Sequence, residues 1–159
     1  MSIHQPAGPA PAWLAMMRAT LLRVVPAMLA WELLQLPLYT LWSDGTTGEI
    51  AFAVLHCTAG DALIVLAALS WSLVLAGEPH WPDQGFGRVL AATLVIGVAY
   101  TVYSEWLNVE IRGTWAYAAA MPRLPVLGTG LAPLLQWLVL PPLALLAARR
   151  ALRGRAGGR

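Results

Sequence analysis

Charged side chains are scarce in this sequence of 159 residues. Asp, Glu, Lys and Arg supply 11% of the residues, against roughly 25% in soluble proteins, and apolar residues supply 58%, against roughly 45–50%. A small domain has a high ratio of surface to volume, so a water-exposed surface could not be covered with so few charges. The composition therefore excludes a soluble enzyme and a disordered tail, and it predicts an integral membrane protein.

Lysine is absent, and all ten basic residues are arginines. Half of them stand in the last eleven residues, after an apolar segment. An arginine-rich tail in this position is typical of the cytoplasmic edge of a membrane and of contact with anionic lipid headgroups. We therefore expect membrane lipid, and no nucleic acid, as a partner of the basic residues.

Metal-binding patterns are also missing from the sequence. The single cysteine, Cys57, excludes an intramolecular disulfide and a cysteine-based zinc site. No His-x-x-x-His or Glu-x-x-His spacing is present to place two ligands on one helical face. We expect neither a metal nor another cofactor.

Long apolar runs determine the predicted fold. A helix needs about 20 apolar residues to cross the hydrocarbon core of a bilayer. The segments that reach this length are about 19–42, 50–76, 88–107 and 129–148. The sequence thus predicts an all-α membrane protein, an antiparallel bundle of four transmembrane helices, preceded by a flexible N-terminal lead-in over 1–18.

Two further segments are not predicted to cross the membrane. Residues 108–128 are too polar to cross a membrane and rich in aromatic side chains, which predicts an interfacial capping segment between the third and fourth helices. Residues 149–159 are predicted to form an arginine-rich cytoplasmic tail. The chain between these boundaries, 19–148, is the predicted transmembrane domain.

The arginines also predict an orientation. With the N-terminus in the cytoplasm, Arg18, Arg23, Arg88 and the five tail arginines face the cytoplasm, and only Arg112 and Arg123 face the other side. Because cytoplasmic loops carry the excess of Lys and Arg, we expect both termini on that side of a bacterial inner membrane.

Ionisable residues lie inside three of the predicted spans. Glu32, Asp61 and Glu105 each cost at least about 2.5–3.5 kcal/mol on insertion into a bilayer, so their presence requires a reason. Gln136 adds a polar group in the fourth span, and we expect all four side chains to point into the bundle. Interhelical hydrogen bonds, at about 0.6 kcal/mol each, would explain Gln35 and Gln136 well but Glu32 and Asp61 poorly.

A buried acid beside aromatic rings is suited to isoprenoid chemistry. Burial disfavours the charged form of a carboxylic acid, which then serves as a proton donor. Aromatic faces stabilise the carbocation that forms when a double bond is protonated. The candidate catalytic residues are Glu105, Asp61, Glu32, His56 and Asn108. The candidate substrate-binding residues are Trp115, Tyr117, Trp31, Tyr103 and Gln136.

The stretch from residue 104 to 137 follows a pattern of an acid, a Gly-x-aromatic-x-Tyr run, and a Pro- and Gly-rich turn into another helix. Its residues are Glu105, Gly113, Trp115, Tyr117, Met121, Pro122, Gly128, Pro133 and Trp137. The pattern resembles that of membrane carotenoid hydratases and, more loosely, of small bacterial lycopene cyclase subunits. The resemblance implies that Glu105 is the acid and that Trp115 and Tyr117 line a polyene site. It also implies a homodimer or a membrane partner subunit that completes the cavity.

Two other functions fit the same residues. The intramembrane acids could carry protons or ions in a small transporter component. Alternatively, the chain could be a non-catalytic scaffold subunit whose polar groups only hold the helices together. Both functions remain open as alternatives to acid-catalysed hydration or cyclisation of an isoprenoid or carotenoid lipid.

Overall fold

Helices make up most of the chain, and the computed structural model describes residues 11–157. Within this range the structure contains no strand. The helices are α1 (Ala12–Gln35), α2 (Leu41–Asp44), α3 (Thr47–Ala76), α4 (Phe86–Trp106) and α5 (Leu131–Gly157). A 3₁₀ turn, Leu36–Leu38, follows α1, and a π-helical turn, Leu107–Ile111, extends α4.

Four of these helices, α1, α3, α4 and α5, are long and apolar enough to span a membrane. Their outward faces carry large apolar side chains, such as Leu22, Leu34 and Val74, each more than 70% exposed. Such a surface suits hydrocarbon rather than water, because exposed apolar patches of this extent are rare in soluble monomers. The predicted all-α bundle of four membrane-spanning helices is confirmed.

The long helices form a closed ring in which α1 and α4 each pack against both α3 and α5. The connections are short relative to the helices, so successive long helices run in opposite directions. In the middle of the bundle Trp137 of α5, 2% exposed, packs with Val24, Met28 and Val65. The ring of the tryptophan lies against the backbone of α4 at Gly97, where a side chain would leave no room for it.

The N-terminal helix begins and ends earlier than predicted. Residues 12–18, assigned to a flexible lead-in, are helical because Met16 and Met17 are buried in a cluster with Leu145 of α5. The first ten residues of the predicted lead-in lie outside the part of the chain that the structure describes. The α-helix stops at Gln35 instead of continuing to 42, since Pro37 has no N–H to donate to the next turn.

At the other terminus α5 extends the fourth span well past residue 148. Residues 149–157, predicted as a tail, are helical to Gly157. The guanidinium of Arg149 stacks on Phe86 at 4.3 Å, and Arg153 donates to the Asp83 carboxylate at 2.9 Å. These contacts attach the end of α5 to the turn between α3 and α4, so the basic segment is part of the bundle.

The segment from 112 to 130 crosses the opposite end of the bundle without forming a helix. It is held to the end of α1 by two backbone hydrogen bonds, from Thr40 N–H to Ala116 O at 3.0 Å and from Ala118 N–H to Leu38 O at 2.9 Å. The rings of Tyr39 and Tyr117 lie 5.5 Å apart at this junction. We refer to residues 112–130 as the cap.

Two glycines of α4 provide a matched test of this packing. A Cβ at Gly97 would lie 2.2 Å from the Trp137 ring, whereas a Cβ at Gly87 would meet nothing within 4 Å. We expect Gly97→Ala to lower the free energy of unfolding by about 1–3 kcal/mol, as overpacked cores do. Gly87→Ala should leave it unchanged or raise it by up to about 1 kcal/mol. Circular dichroism during SDS titration of the purified protein measures both, and equal stabilities would contradict the packing.

Candidate functional site

A chain of hydrogen bonds joins two of the intramembrane acids across three helices. Gln35 donates from Nε2 to Glu32 Oε1 at 3.0 Å and to Gln136 Oε1 at 3.4 Å. Gln136 in turn donates from its own Nε2 to Asp61 Oδ2 at 2.6 Å. The three helices α1, α5 and α3 therefore meet at one polar centre, which we call the acid pair centre.

Gln35 and Gln136 connect the carboxyl groups of Glu32 and Asp61 in this centre. Both side chains are half-buried, while the two glutamines are buried. Gln35 Oε1 is buried and has no hydrogen-bond partner among residues 11–157. A carboxyl that carries a proton could donate it to that oxygen or to the other carboxyl, so the centre offers acceptors for a mobile proton.

Glu105 forms a second polar centre at the foot of the cap. The residue is 7% exposed, and the Tyr117 hydroxyl donates a hydrogen bond to its Oε2. The same hydroxyl accepts a hydrogen bond from the backbone N–H of Gly130 at 2.9 Å. Tyr117 thus fixes the carboxyl from the cap, and the last residue of the cap fixes Tyr117.

Burial raises the pKa of the Tyr117 phenol, and its hydrogen bond to Glu105 adds to the increase. The phenol therefore keeps its proton throughout the physiological range and remains a donor to the carboxyl. Tyr39 shows the same direction, because burial and then the neighbouring Glu105 raise its pKa. Tyr39 follows α1, and its ring lies 5.5 Å from that of Tyr117.

Aromatic rings surround the Glu105 carboxyl. Tyr39, Trp115 and Tyr117 are its polar neighbours, and Trp106 lines the crevice beside it. The indole N–H of Trp115 is buried and finds no acceptor in the described part of the chain. On the other face of the Tyr117 ring, the Arg123 guanidinium lies 4.8 Å from the ring centre.

The crevice at Glu105 is narrow. It is lined by Trp106, Glu110 and Thr129 in addition to Glu105 and Tyr117, and its empty volume is about 150 Å³, none of it wide enough for a water molecule. The hydrogen bond between Tyr117 and Glu105 joins the cap to α4 at this crevice.

The structure does not bring all of the predicted site residues together. His56 is exposed on the outer face of α3, where its ring stacks on Phe52 with centroids 5.4 Å apart. Tyr103 is 53% exposed and lies between Tyr100 and Trp106 on the outer face of α4. Neither side chain contacts an acid, because the helical repeat turns both positions toward the outside of the bundle.

Two other predicted residues act as supports. Asn108 donates to Ser104 O at 2.8 Å and accepts from the Thr114 hydroxyl at 3.3 Å, which ties the π-helical turn to the start of the cap. Trp31 donates from its indole N–H to Ala132 O at 3.2 Å and so joins α1 to the first turn of α5. The predictions of proton transfer by Asn108 and of substrate contact by Trp31 stay predictions.

Tyr39, Gln35 and Arg123 belong to the two centres but were not among the predicted site residues. Glu32, Gln35 and Tyr39 are spaced by three and then four residues, so the sequence pattern places Gln35 and Tyr39 on the same helical face as Glu32. Arg123 gave no such signal, because nothing in the sequence places a cap arginine over one particular ring. Within residues 11–157, no group of three or more His, Cys, Asp and Glu side chains converges on a metal-binding point.

No protein-family model, curated protein sequence or solved structure matches this chain. What the site can do chemically therefore follows from its own geometry.

Proposed function

We propose that this protein is a membrane enzyme that protonates a carbon–carbon double bond of an isoprenoid or carotenoid lipid, with Glu105 as the acid. The observation that carries the proposal is the surrounding of Glu105: a buried carboxyl, held by a phenol, with aromatic rings on several sides. An acid in such a place can donate a proton to an apolar substrate, and few other reactions use the rings.

Besides the lipid substrate and the side chains of the protein, the reaction needs only water. The π electron pair of the alkene forms a C–H bond with the Glu105 proton, and the O–H bond breaks to leave a carboxylate and a tertiary carbocation. Water adds its lone pair to the cation and then returns a proton to the carboxylate, which gives a tertiary alcohol and restores the acid. In the cyclisation variant, a second double bond attacks the cation, and loss of a ring proton restores the acid.

The aromatic residues stabilise the cation in this scheme. A cation over an aromatic face gains about 0.5–2 kcal/mol, and Trp gives the strongest interaction. Trp106 lines the crevice at Glu105, Trp115 belongs to the cap, and Tyr117 supplies a further ring. Tyr117 also stabilises the carboxylate left after proton donation, since its hydroxyl donates a hydrogen bond to Oε2 of Glu105.

Replacement of the acid gives the direct test. We expect cells that accumulate lycopene and express the wild-type chain to form a product that is one water heavier or, after cyclisation, equal in mass with a shifted absorption spectrum. Glu105→Gln should lower product formation at least about a hundredfold, the usual contribution of a general acid. Liquid chromatography with mass spectrometry of the pigment extract measures both products.

Asp44→Asn is the matched control, because Asp44 is an exposed acid at the same end of the bundle and contacts neither centre. It should give wild-type product. Unchanged product from a Glu105→Gln protein that reaches the membrane at the wild-type level would overturn the proposal.

A second function, proton movement across the membrane, is favoured by the acid pair centre. Gln35 and Gln136 connect Glu32 to Asp61, and buried Gln35 Oε1 has no hydrogen-bond partner within residues 11–157. A proton can pass between such groups by short steps, and intramembrane acids are typical of proton relays. In this function Glu105 and Tyr39 would continue the path toward the cap.

Proteoliposomes distinguish this function from the first. If the chain moves protons, wild-type protein should dissipate an imposed pH gradient, and Asp61→Asn should abolish the flux, because the amide cannot release a proton. Asp44→Asn again serves as the control. An absence of flux from wild-type protein would exclude the transporter, and if Glu105→Gln also had no effect on pigments, the polar groups would serve as interhelical contacts in a scaffold subunit.

The orientation in a bacterial inner membrane belongs to the same proposal. The start of α1, the turn between α3 and α4, and the end of α5 pack together at one end of the bundle. That end carries Arg18, Arg23, Arg88, Arg149, Arg150, Arg153 and Arg155. The cap carries Arg112 and Arg123, so the positive-inside rule assigns the arginine-rich end to the cytoplasm.

Reporter fusions check this orientation. We expect green fluorescent protein fused after Arg159 to fluoresce and alkaline phosphatase at the same place to be inactive. Alkaline phosphatase inserted after Gly45, between α2 and α3, should be active. The reverse pattern would place the two acidic centres nearer the cytoplasm. A homodimer or a partner subunit stays a prediction of the sequence resemblance alone.

A further inference from the structure

An open groove runs along the outer surface between α3 and α4. Its volume is about 380 Å³, which is within the range of roughly 300–1,000 Å³ typical of ligand sites. The side chains that line it on α3 include Leu63, Ile64, Ala67 and Trp71. Almost all of its lining is apolar, and it lies in the membrane-spanning part of both helices, so it suits a hydrocarbon chain.

The groove has a shape that two regular helices do not usually leave. Ala68, 1% exposed, forms part of its floor, and Ala67 beside it adds no more than a methyl group. Trp71 of α3 and Tyr100 of α4 rise at its sides and are 61% and 46% exposed. Short side chains between these aromatic rings make an open trough with room for a chain with methyl branches.

An aromatic strip leads from this groove to Glu105. Tyr100, at the edge of the groove, has its ring centre 6.5 Å from that of Tyr103, which is 6.2 Å from Trp106. Trp106 also lines the crevice at Glu105. From Tyr100 to Trp106 the helix rises about 9 Å, at about 1.5 Å per residue. The groove, the strip and the crevice therefore form one track along the lipid-facing side of α4.

We propose that the groove between α3 and α4 binds the chain of an isoprenoid lipid, and that the aromatic strip guides the reacting end of that lipid to Glu105. This inference rests on the proposed function for the class of its ligand. A flexible acyl chain has no need of a rigid trough with aromatic sides, whereas flat polyenes and branched isoprenoids stack on rings and fill such a trough.

Binding of all-trans-retinol, an isoprenoid polyene that accepts tryptophan emission, tests the groove. Retinol is titrated into the purified full-length protein in neutral detergent micelles, and tryptophan-sensitised retinol fluorescence is recorded. Wild-type protein should show saturable binding. Ala67→Phe fills the trough from an exposed position and should weaken binding at least about tenfold, a loss of about 1.4 kcal/mol.

Ala51→Phe is the matched control, since Ala51 is an exposed alanine of the same helix that does not line the groove. It should bind retinol like the wild type. Trp71→Phe provides a second variant, which keeps an aromatic side on the trough but should lower the energy transfer, because Trp71 is the donor inside the groove. Equal binding by Ala67→Phe and Ala51→Phe proteins would overturn the proposal.

Two further arms identify the ligand class and separate this inference from the proposed function. Cis-parinaric acid, an unbranched polyene, should bind at least about tenfold more weakly than retinol, and equal binding would show a general acyl-chain groove and overturn the isoprenoid assignment. Glu105→Gln should bind retinol like the wild type, because the chain site lies outside the crevice. If retinol binding is lost only in Ala67→Phe and pigment conversion is unchanged in Glu105→Gln, the proposal for the groove stands and the proposed catalytic role of Glu105 fails.

Discussion

The hydrocarbon of a bilayer supplies no hydrogen bonds, and this constraint decides where the polar side chains of the bundle lie. Gln136 of α5 donates to Asp61 of α3, and Gln35 of α1 reaches both Gln136 and Glu32. Removal of one member would leave the others buried without a partner, at a cost of about 1–3 kcal/mol for each such group. The crossing of α1, α3 and α5 is therefore fixed by amides as well as by apolar packing.

The two acidic centres are built differently, and the difference matters for their chemistry. The acid pair centre is formed by helices alone, so its geometry is as rigid as the bundle. Glu105 instead depends on Tyr117, which belongs to a cap without regular structure, and the cap is attached to α1 through only a few hydrogen bonds. The first centre is suited to holding a proton and the second to opening for a substrate. Tyr39, which follows α1, packs its ring against Tyr117 of the second centre.

Most of the fold could be predicted from the sequence, because the length and hydropathy of each segment decide whether it spans a bilayer. The ends of the helices could not. The burial of Met16 and Met17 depends on Leu145, more than a hundred residues away in the chain, and no local pattern shows it. The extension of α5 to Gly157 likewise depends on contacts of Arg149 and Arg153 with the turn between α3 and α4.

The candidate site was predictable to the extent that polarity in an apolar helix points inward. That rule holds for Glu32, Asp61, Glu105 and Gln136, for which exposure to hydrocarbon is expensive. It fails for His56, whose weakly polar ring can stack on Phe52 at the surface. The position of Tyr117 could be predicted only loosely, because a cap residue is placed by backbone contacts such as those of Thr40 and Ala118.

The close fit of Trp137 against Gly97 has a consequence for how a lipid could enter the protein. The indole ring occupies the space that a side chain of α4 would fill, so these two helices are keyed together and cannot separate without exposing the ring. A lipid therefore cannot enter the protein from the bilayer between α4 and α5. A lipid that enters from the bilayer would then pass between other helices or beneath residues 112–130.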